Sequence, residues 1–300
     1  MSIDVLQEKI RMLKNPTMVA LDPFPALIPE KLLAGAIDTH AYAAAYRTFC
    51  RGILDSLAGF VPAVKLQSAC FAALGSAGIA VMQEILSYAR EKGYYVVLDS
   101  MRADFPETAE IFAQSVFGAQ DIAGTGPAPY PCDGVTVNGY VGSDSIQPFL
   151  PYCRRGEKSV FVLVKSPNRS AVEVQDLLSG GRLVHTAMAD LVSRWGADTY
   201  GKSGYAQVAA VVSAAHPEGL RMLRKRYDRV FFLVPDTSAQ GGTMRGAQYA
   251  FDPFGHGAVL CTSQPILAAW KKQPDLDYGT AARKAAEKIK RNIAAYCTVR

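Results

Sequence analysis

Short runs of apolar, mostly β-branched residues recur along the chain. They lie at Thr17–Leu21, Val61–Leu66, Tyr94–Leu98, Gly134–Val137, Val160–Val164, Val208–Val212, Val230–Val234 and Ala258–Cys261. Each has the length and composition of a buried strand. Between most of them the apolar positions recur with a helical period. Tyr42–Leu57 places Tyr42, Ala45, Tyr46, Phe49, Ile53 and Leu57 on one face, and Ser76–Arg90 groups Ile79, Met82, Ile85, Leu86 and Ala89. Val184–Trp195, Pro217–Arg226 and Ala281–Tyr296 read the same way. Strands alternating with helices predict a parallel sheet with right-handed crossovers. Eight such units in 300 residues predict an α/β fold, a (β/α)8 TIM barrel, as a single domain over residues 1–300. A doubly wound open sheet is the second choice. Ala119–Asp133, rich in Gly and Pro, reads as a surface loop. Its Gly124-x-Gly126 lacks the preceding strand and the third glycine of a dinucleotide-binding turn.

A barrel delivers its chemistry at the C-terminal ends of its strands. Polar residues at those ends are Asp22, Lys65, Asp99, Asp104, Asn138, Lys165, Ser166, Asn168, Ser213 and Thr262-Ser263-Gln264. Any one of them alone serves equally well as a cap or turn residue. A lysine and several aspartates converging on one rim point instead to a charged site. The third strand is the most informative: it runs into Asp99-Ser-Met-Arg-Ala-Asp104, two acids with Met101 between them. Like charges held together raise each other's pKa, so two acids with no cation between them predict a raised pKa for one. After the seventh strand, Pro235-Asp-Thr-Ser-Ala-Gln-Gly-Gly242 brings small residues and paired glycines to the end of the barrel that commonly binds phosphate. A Gly-rich turn is the plainer alternative.

Composition narrows the function classes. The net charge of +5 is mild, and the basic cluster Arg283, Lys284, Lys288, Lys290 and Arg291 has the spacing of a solvated helix face. No basic stripe with interleaved aromatics argues for nucleic acid. The six cysteines contain no Cys-x-x-Cys pair and read as reduced core thiols. The histidines show no metal-ligand spacing. No apolar run approaches membrane-spanning length, and the first residues lack a signal-peptide core. The expectation is a cytoplasmic protein, and the mild positive balance is compatible with an anionic small substrate without demanding one.

The chain resembles the orotidine 5′-phosphate decarboxylase family, in its longer bacterial form. The resemblance rests on Val19-Ala-Leu-Asp-Pro-Phe-Pro25, Val64-Lys-Leu-Gln-Ser-Ala-Cys-Phe71, Leu98-Asp-Ser-Met-Arg-Ala-Asp104, Tyr140-Val-Gly-Ser-Asp-Ser145, Phe161-Val-Leu-Val-Lys-Ser166 and Phe232-Leu-Val-Pro-Asp-Thr-Ser-Ala-Gln-Gly-Gly242. It implies a (β/α)8 barrel that forms a homodimer with shared active sites. It also implies decarboxylation of orotidine 5′-monophosphate to uridine 5′-monophosphate, without metal or organic cofactor, in pyrimidine biosynthesis. By motif position Lys65 matches the first lysine of a Lys-Asp-Lys-Asp array, and Asp99 the acid near the departing carboxylate. Asp104 matches the acid donated by the partner subunit, with Thr108 close to the same ligand. Asp22 matches the ribose-binding acid. Gln240, with Gly241 and Gly242, matches the phosphate loop.

The departures are as specific as the matches. The family's second lysine, which protonates the pyrimidine, corresponds to Met101. Methionine keeps the length of the stem but has neither charge nor proton. In the stretch after the fifth strand, Ser166 is followed by Pro167 where the family has the serine that recognises the pyrimidine. Gln264 stands where the family has a phosphate-gripping arginine, and Ala103-Asp104-Phe105-Pro106 replaces Gly-Asp-Ile-Gly. One replacement would explain Met101 alone; the set points to divergence. The implied protein is a diverged member with weak or no decarboxylase activity. The alternatives are an inactive nucleotide-binding or regulatory relative, or a barrel acting on another phosphorylated anion. Lys65 and Arg102 are the candidate substitutes for the missing lysine, and Arg245 for the missing phosphate charge.

Overall fold

A computed structural model describes residues 1–235 and 243–300. Eight parallel strands close into a barrel: β1 (Thr17–Leu21), β2 (Ala63–Gln67), β3 (Tyr95–Arg102), β4 (Gly134–Val137), β5 (Ser159–Lys165), β8 (Val208–Val212), β9 (Phe232–Pro235) and β10 (Ala258–Thr262). The ring order is β1-β10-β9-β8-β5-β4-β3-β2. The predicted (β/α)8 barrel is therefore the observed fold, and the open-sheet alternative is excluded. A two-stranded antiparallel hairpin, β6 (Leu178–Ser179) with β7 (Arg182–Leu183), was not anticipated. Its strands are two residues each, too short to carry a periodic signal.

Strand alternation divides the apolar residues between two cores. Val19, Val64, Val96, Val135, Val162, Val212 and Leu260 face outward and pack under the helices. Met18, Ala63, Tyr95, Val97, Phe161, Val211, Leu233 and Val259 face inward and fill the barrel. Ile3, Leu6 and Ile10 of the first helix, Ser2–Leu13, join the inner cluster. That helix closes the N-terminal end: its Ile3 N–H donates to Gln207 Oε1 just before β8 (2.8 Å), and Gln7 Oε1 accepts from Gly257 N just before β10 (3.0 Å). With one end sealed, the polar residues at the opposite strand ends form the open mouth.

The helices follow the predicted periodicity. Thr39–Leu57, Gly75–Glu91, Val184–Trp195, Pro217–Arg226 and Tyr278–Ala294 all occur. Asp38 caps the first of these by accepting from Ala41 N at 2.8 Å, and Asp277 caps the last by accepting from Thr280 N at 3.0 Å. Residues 119–133 contain no helix or strand, as their composition predicts. All six cysteines are buried and unbridged. Among the described residues no helix is long and apolar enough to cross a membrane.

Candidate active site

Asp22, Lys65 and Asp99 meet at the barrel mouth. Lys65 is 9 % exposed and Asp99 5 % exposed. Lys65 Nζ donates to Asp99 Oδ2 and lies 3.7 Å from Asp22 Oδ1. The register pairs Lys65 with Val97 and Gln67 with Asp99, so the lysine stem climbs to reach an acid further along β3. Gln67 Nε2 donates to the same Asp99 oxygen at 3.0 Å. The other oxygen, Oδ1, accepts from Thr136 Oγ1 of β4 at 2.6 Å, and Ser68 Oγ holds the Asp99 carbonyl at 2.9 Å. Burial by itself would depress the Lys65 ammonium. The Asp99 and Asp22 carboxylates outweigh it and raise its pKa above the ordinary lysine value. Asp22 Oδ1 is itself buried with no hydrogen-bond partner. Next to this cluster, burial and then Asp22 push the Cys70 thiol up to about 11, so it stays protonated.

The third strand does not stop at Asp99, as its apolar run suggested; β3 continues to Arg102. The reason lies on β4. Ser100 N and Met101 N both donate to Thr136 Oγ1, at 3.0 and 3.2 Å, and Asn138 N donates to Arg102 O at 2.8 Å. Met101 takes a φ of 47°, a left-handed conformation uncommon for residues other than glycine. Its side chain packs, with Leu163, on the apolar filling of the barrel.

The two acids of this segment do not face each other without a cation. Asp99 is met by Lys65. Asp104 makes a bidentate pair with Arg102, at 2.6 Å to Nε and 3.1 Å to a terminal nitrogen. Arg102 also stacks on Phe112, 4.7 Å from the ring centre. The repulsion expected from sequence is removed by a neighbour two residues away and by a lysine on another strand. No hydrogen bond or ion pair among the described residues joins Asp104 or Thr108 to the Lys65 cluster. Thr108 is exposed in the first turn of the Pro106–Phe117 helix.

A second lysine–carboxylate pair stands at the end of β5. Lys165 Nζ reaches Asp176 Oδ1 at 2.6 Å, and His185 Nδ1 lies 3.1 Å from the same oxygen and 2.9 Å from Gln175 O. Burial would raise the Asp176 carboxyl; Lys165 and His185 outweigh it and hold it below the usual range. Ser166, Pro167 and Asn168 form the turn beyond. Ser166 N donates to Gln175 Oε1 at 2.9 Å, and the Ser166 hydroxyl is taken up by Asn168. Pro167 offers no donor there. Gln264 is exposed at the start of the Gln264–Leu267 helix. Gln240, Gly241 and Gly242 lie outside the described residues.

Sequence reasoning missed Thr136, Gln67, Asp176 and His185. Strand alternation from Gln67 back to Lys65, and from Asn138 back to Thr136, carries the signal for the first two. Asp176 and His185 come from the segment around the unforeseen hairpin and have no periodic signature. Beyond Gln67, an apolar cavity of about 710 Å³ opens between Phe24, Tyr42, Tyr46, Cys70 and Leu74. Among the described residues no cluster of three or more His, Cys, Asp or Glu has the arrangement of a metal site.

Known proteins share this fold and much of this sequence. Residues 18–258 match the profile of the orotidine 5′-phosphate decarboxylase / HUMPS family. An orotidine 5′-phosphate decarboxylase of Rhodopirellula baltica is 37 % identical over 259 residues, covering 86 % of this chain and 85 % of that protein. One from Clostridium perfringens is 32 % identical over 296 residues, 98 % of each chain. Among solved structures, OMP decarboxylase of Leishmania donovani superposes with a TM-score of 0.75 at 27 % identity over 98 % of both chains. UMP synthase of the same organism gives 0.76 at 28 % identity; the present chain covers 98 % of its own length and 56 % of that longer one. The chain belongs to the orotidine 5′-phosphate decarboxylase / HUMPS family.

Proposed function

We propose that the barrel mouth binds a nucleotide-like phosphorylated anion and that the chain decarboxylates orotidine 5′-monophosphate weakly or not at all. The observation that carries this reading is Met101. It occupies the strand bulge between the Lys65–Asp99 pair and the Arg102–Asp104 pair, with its side chain on the apolar filling of the barrel. The family resemblance puts the proton-donating lysine at this position. A methionine there supplies neither the charge nor the proton, and general acid catalysis is worth roughly 10²–10⁴-fold.

Neither candidate substitute fits the role. Lys65 is held protonated by two carboxylates, which makes it a reluctant acid. Arg102 is committed to Asp104, and a guanidinium scarcely gives up a proton. Retention of a ligand pocket is supported by Asp22, whose buried Oδ1 accepts no hydrogen bond and suits a hydroxyl donor such as a ribose. In this reading Lys65 and Asp99 fix the charge pattern around the ligand, and Ser166 with Pro167 faces the base. Gln240, Gly241, Gly242 and Gln264 mark the phosphate end. Arg245, exposed in the Met244–Ala247 helix just past the glycines, offers a replacement charge. Asp104 and Thr108 serve the site of a partner subunit in a homodimer. Their position on the rim, beside a Phe105 that is 83 % exposed, supports that assignment.

The test is an absorbance assay of orotidine 5′-monophosphate turnover, with uridine 5′-monophosphate titrated by calorimetry. The unmodified chain is expected to bind the product nucleotide and to turn over little substrate. Met101→Lys combined with Pro167→Ser and Gln264→Arg is expected to gain turnover. Robust turnover by the unmodified chain refutes the weak-activity reading. Absence of nucleotide binding refutes the ligand and favours another phosphorylated anion or a regulatory role.

A further inference from the structure

We infer that Thr136 is a positioning residue: its hydroxyl and carbonyl hold the Ser100–Met101 bulge, and thereby decide where the Asp99 carboxylate and the side chain at position 101 stand. Between Asp99 and Arg102 strand β3 advances three residues, while β4 advances only from Thr136 to Val137. Ser100 and Met101 are therefore surplus to the ladder, and their amides need other acceptors. Thr136, fully buried, provides them.

A hydroxyl has one proton and two lone pairs. Here all three are used. The lone pairs accept from Ser100 N at 3.0 Å and Met101 N at 3.2 Å, so the proton goes to Asp99 Oδ1 at 2.6 Å. The Thr136 carbonyl takes the Ser100 hydroxyl at 2.9 Å. One side chain thus ties the carboxylate and both bulge amides to a single point. Met101 keeps its left-handed φ of 47° because the surrounding bonds leave it little alternative. Lys65 and Gln67 then hold the second Asp99 oxygen. A valine at 136 would have the same shape and would keep the carbonyl, but it would make none of the three hydroxyl bonds.

Only the ligand arm of the test rests on the proposed nucleotide site. Thr136→Val and Thr136→Ser are compared by amide hydrogen exchange and by titration with uridine 5′-monophosphate. Thr136→Val is expected to speed exchange at Ser100 and Met101 about tenfold or more, as for loss of a buried hydrogen bond, with Val97 and Leu98 still protected. Thr136→Ser, which keeps the hydroxyl, is expected to exchange like the unmodified chain. Nucleotide affinity is expected to fall about tenfold in the first variant and to return in the second. Unchanged exchange at Ser100 and Met101 in Thr136→Val, or an equal rise in both variants, overturns the inference. Should the unmodified chain not bind the nucleotide, the ligand reading fails and exchange still decides the clamp. If Thr136→Val does not fold, Thr136→Cys takes its place with the same two outcomes, because a thiol bonds weakly.

Discussion

Lys65 of β2 is bonded to Asp99 of β3, although its register partner on that strand is Val97. The pair is buried, and the acid is further held by Thr136 and Gln67. Removing one partner of a buried ion pair leaves the other uncompensated, at about 3–5 kcal/mol. Lys65→Met should therefore lower the unfolding free energy by about that much in chemical denaturation. Adding Asp99→Asn should recover a substantial part. A single variant as stable as the unmodified chain would mean that the remaining hydrogen bonds alone satisfy Asp99.

Acid stability should depend on Asp4, at the closed end of the barrel. Burial pushes its carboxyl up, but the Ser203 hydroxyl and backbone N–H outweigh it and lower its pKa to about 2. A carboxyl whose folded pKa lies below its unfolded value of 3.8 stabilises the fold above that value. The contribution is lost as pH falls from about 4 towards 2. Asp4→Asn should remove that part of the acid transition and cost about 1 kcal/mol at neutral pH, after allowing for solvent screening. Urea titrations at pH 7, 4 and 2.5 check both the sign and the window.

Shared sites make a prediction that a monomeric site does not. Chains carrying Lys65→Ala and chains carrying Asp104→Ala should each bind uridine 5′-monophosphate poorly. Unfolded together and refolded as a mixture, they should regain binding, because a mixed dimer contains one site with both residues intact. Sedimentation of the unmodified chain as a monomer, or a mixture no better than its parents, would count against the partner role of Asp104 and Thr108.

Gly257 tests the closed end of the barrel. Its φ is 81°, and an added Cβ would lie 2.6 Å from the Tyr205 hydroxyl and 2.7 Å from its ring. Its carbonyl accepts from buried Arg224 at 2.8 Å and from Phe232 N at 2.8 Å. Gly257→Ala should destabilise by about 2–3 kcal/mol through strain and overpacking, read as a lower denaturation midpoint. Ligand affinity should be unaffected, since the mouth is at the other end.

The barrel was legible because its signal is local and repeated. Each apolar run and each helical stripe reports its own burial, and eight repeats leave few topologies open. Lys65, Asp99 and Asp22 were legible for a related reason: a strand ends where apolar residues stop, and a parallel barrel sends those ends to one face. The hairpin at Leu178–Leu183 and the Asp176–His185 contacts to Lys165 were not legible, because two-residue strands and single polar contacts leave no period.

Sequence alone determined the eight barrel strands, the family motifs and the uncharged side chain at Met101, since residue identity settles which groups can carry charge. Only the tertiary structure decided how the charges pair. From sequence, Asp99 and Asp104 were two acids without a cation between them. In the fold, Lys65 crosses from β2 to one, Arg102 curls back to the other, and Thr136 arches the chain between them. Pairing of charges depends on register, bulges and side-chain reach across strands, and these are properties of the closed barrel rather than of any one segment.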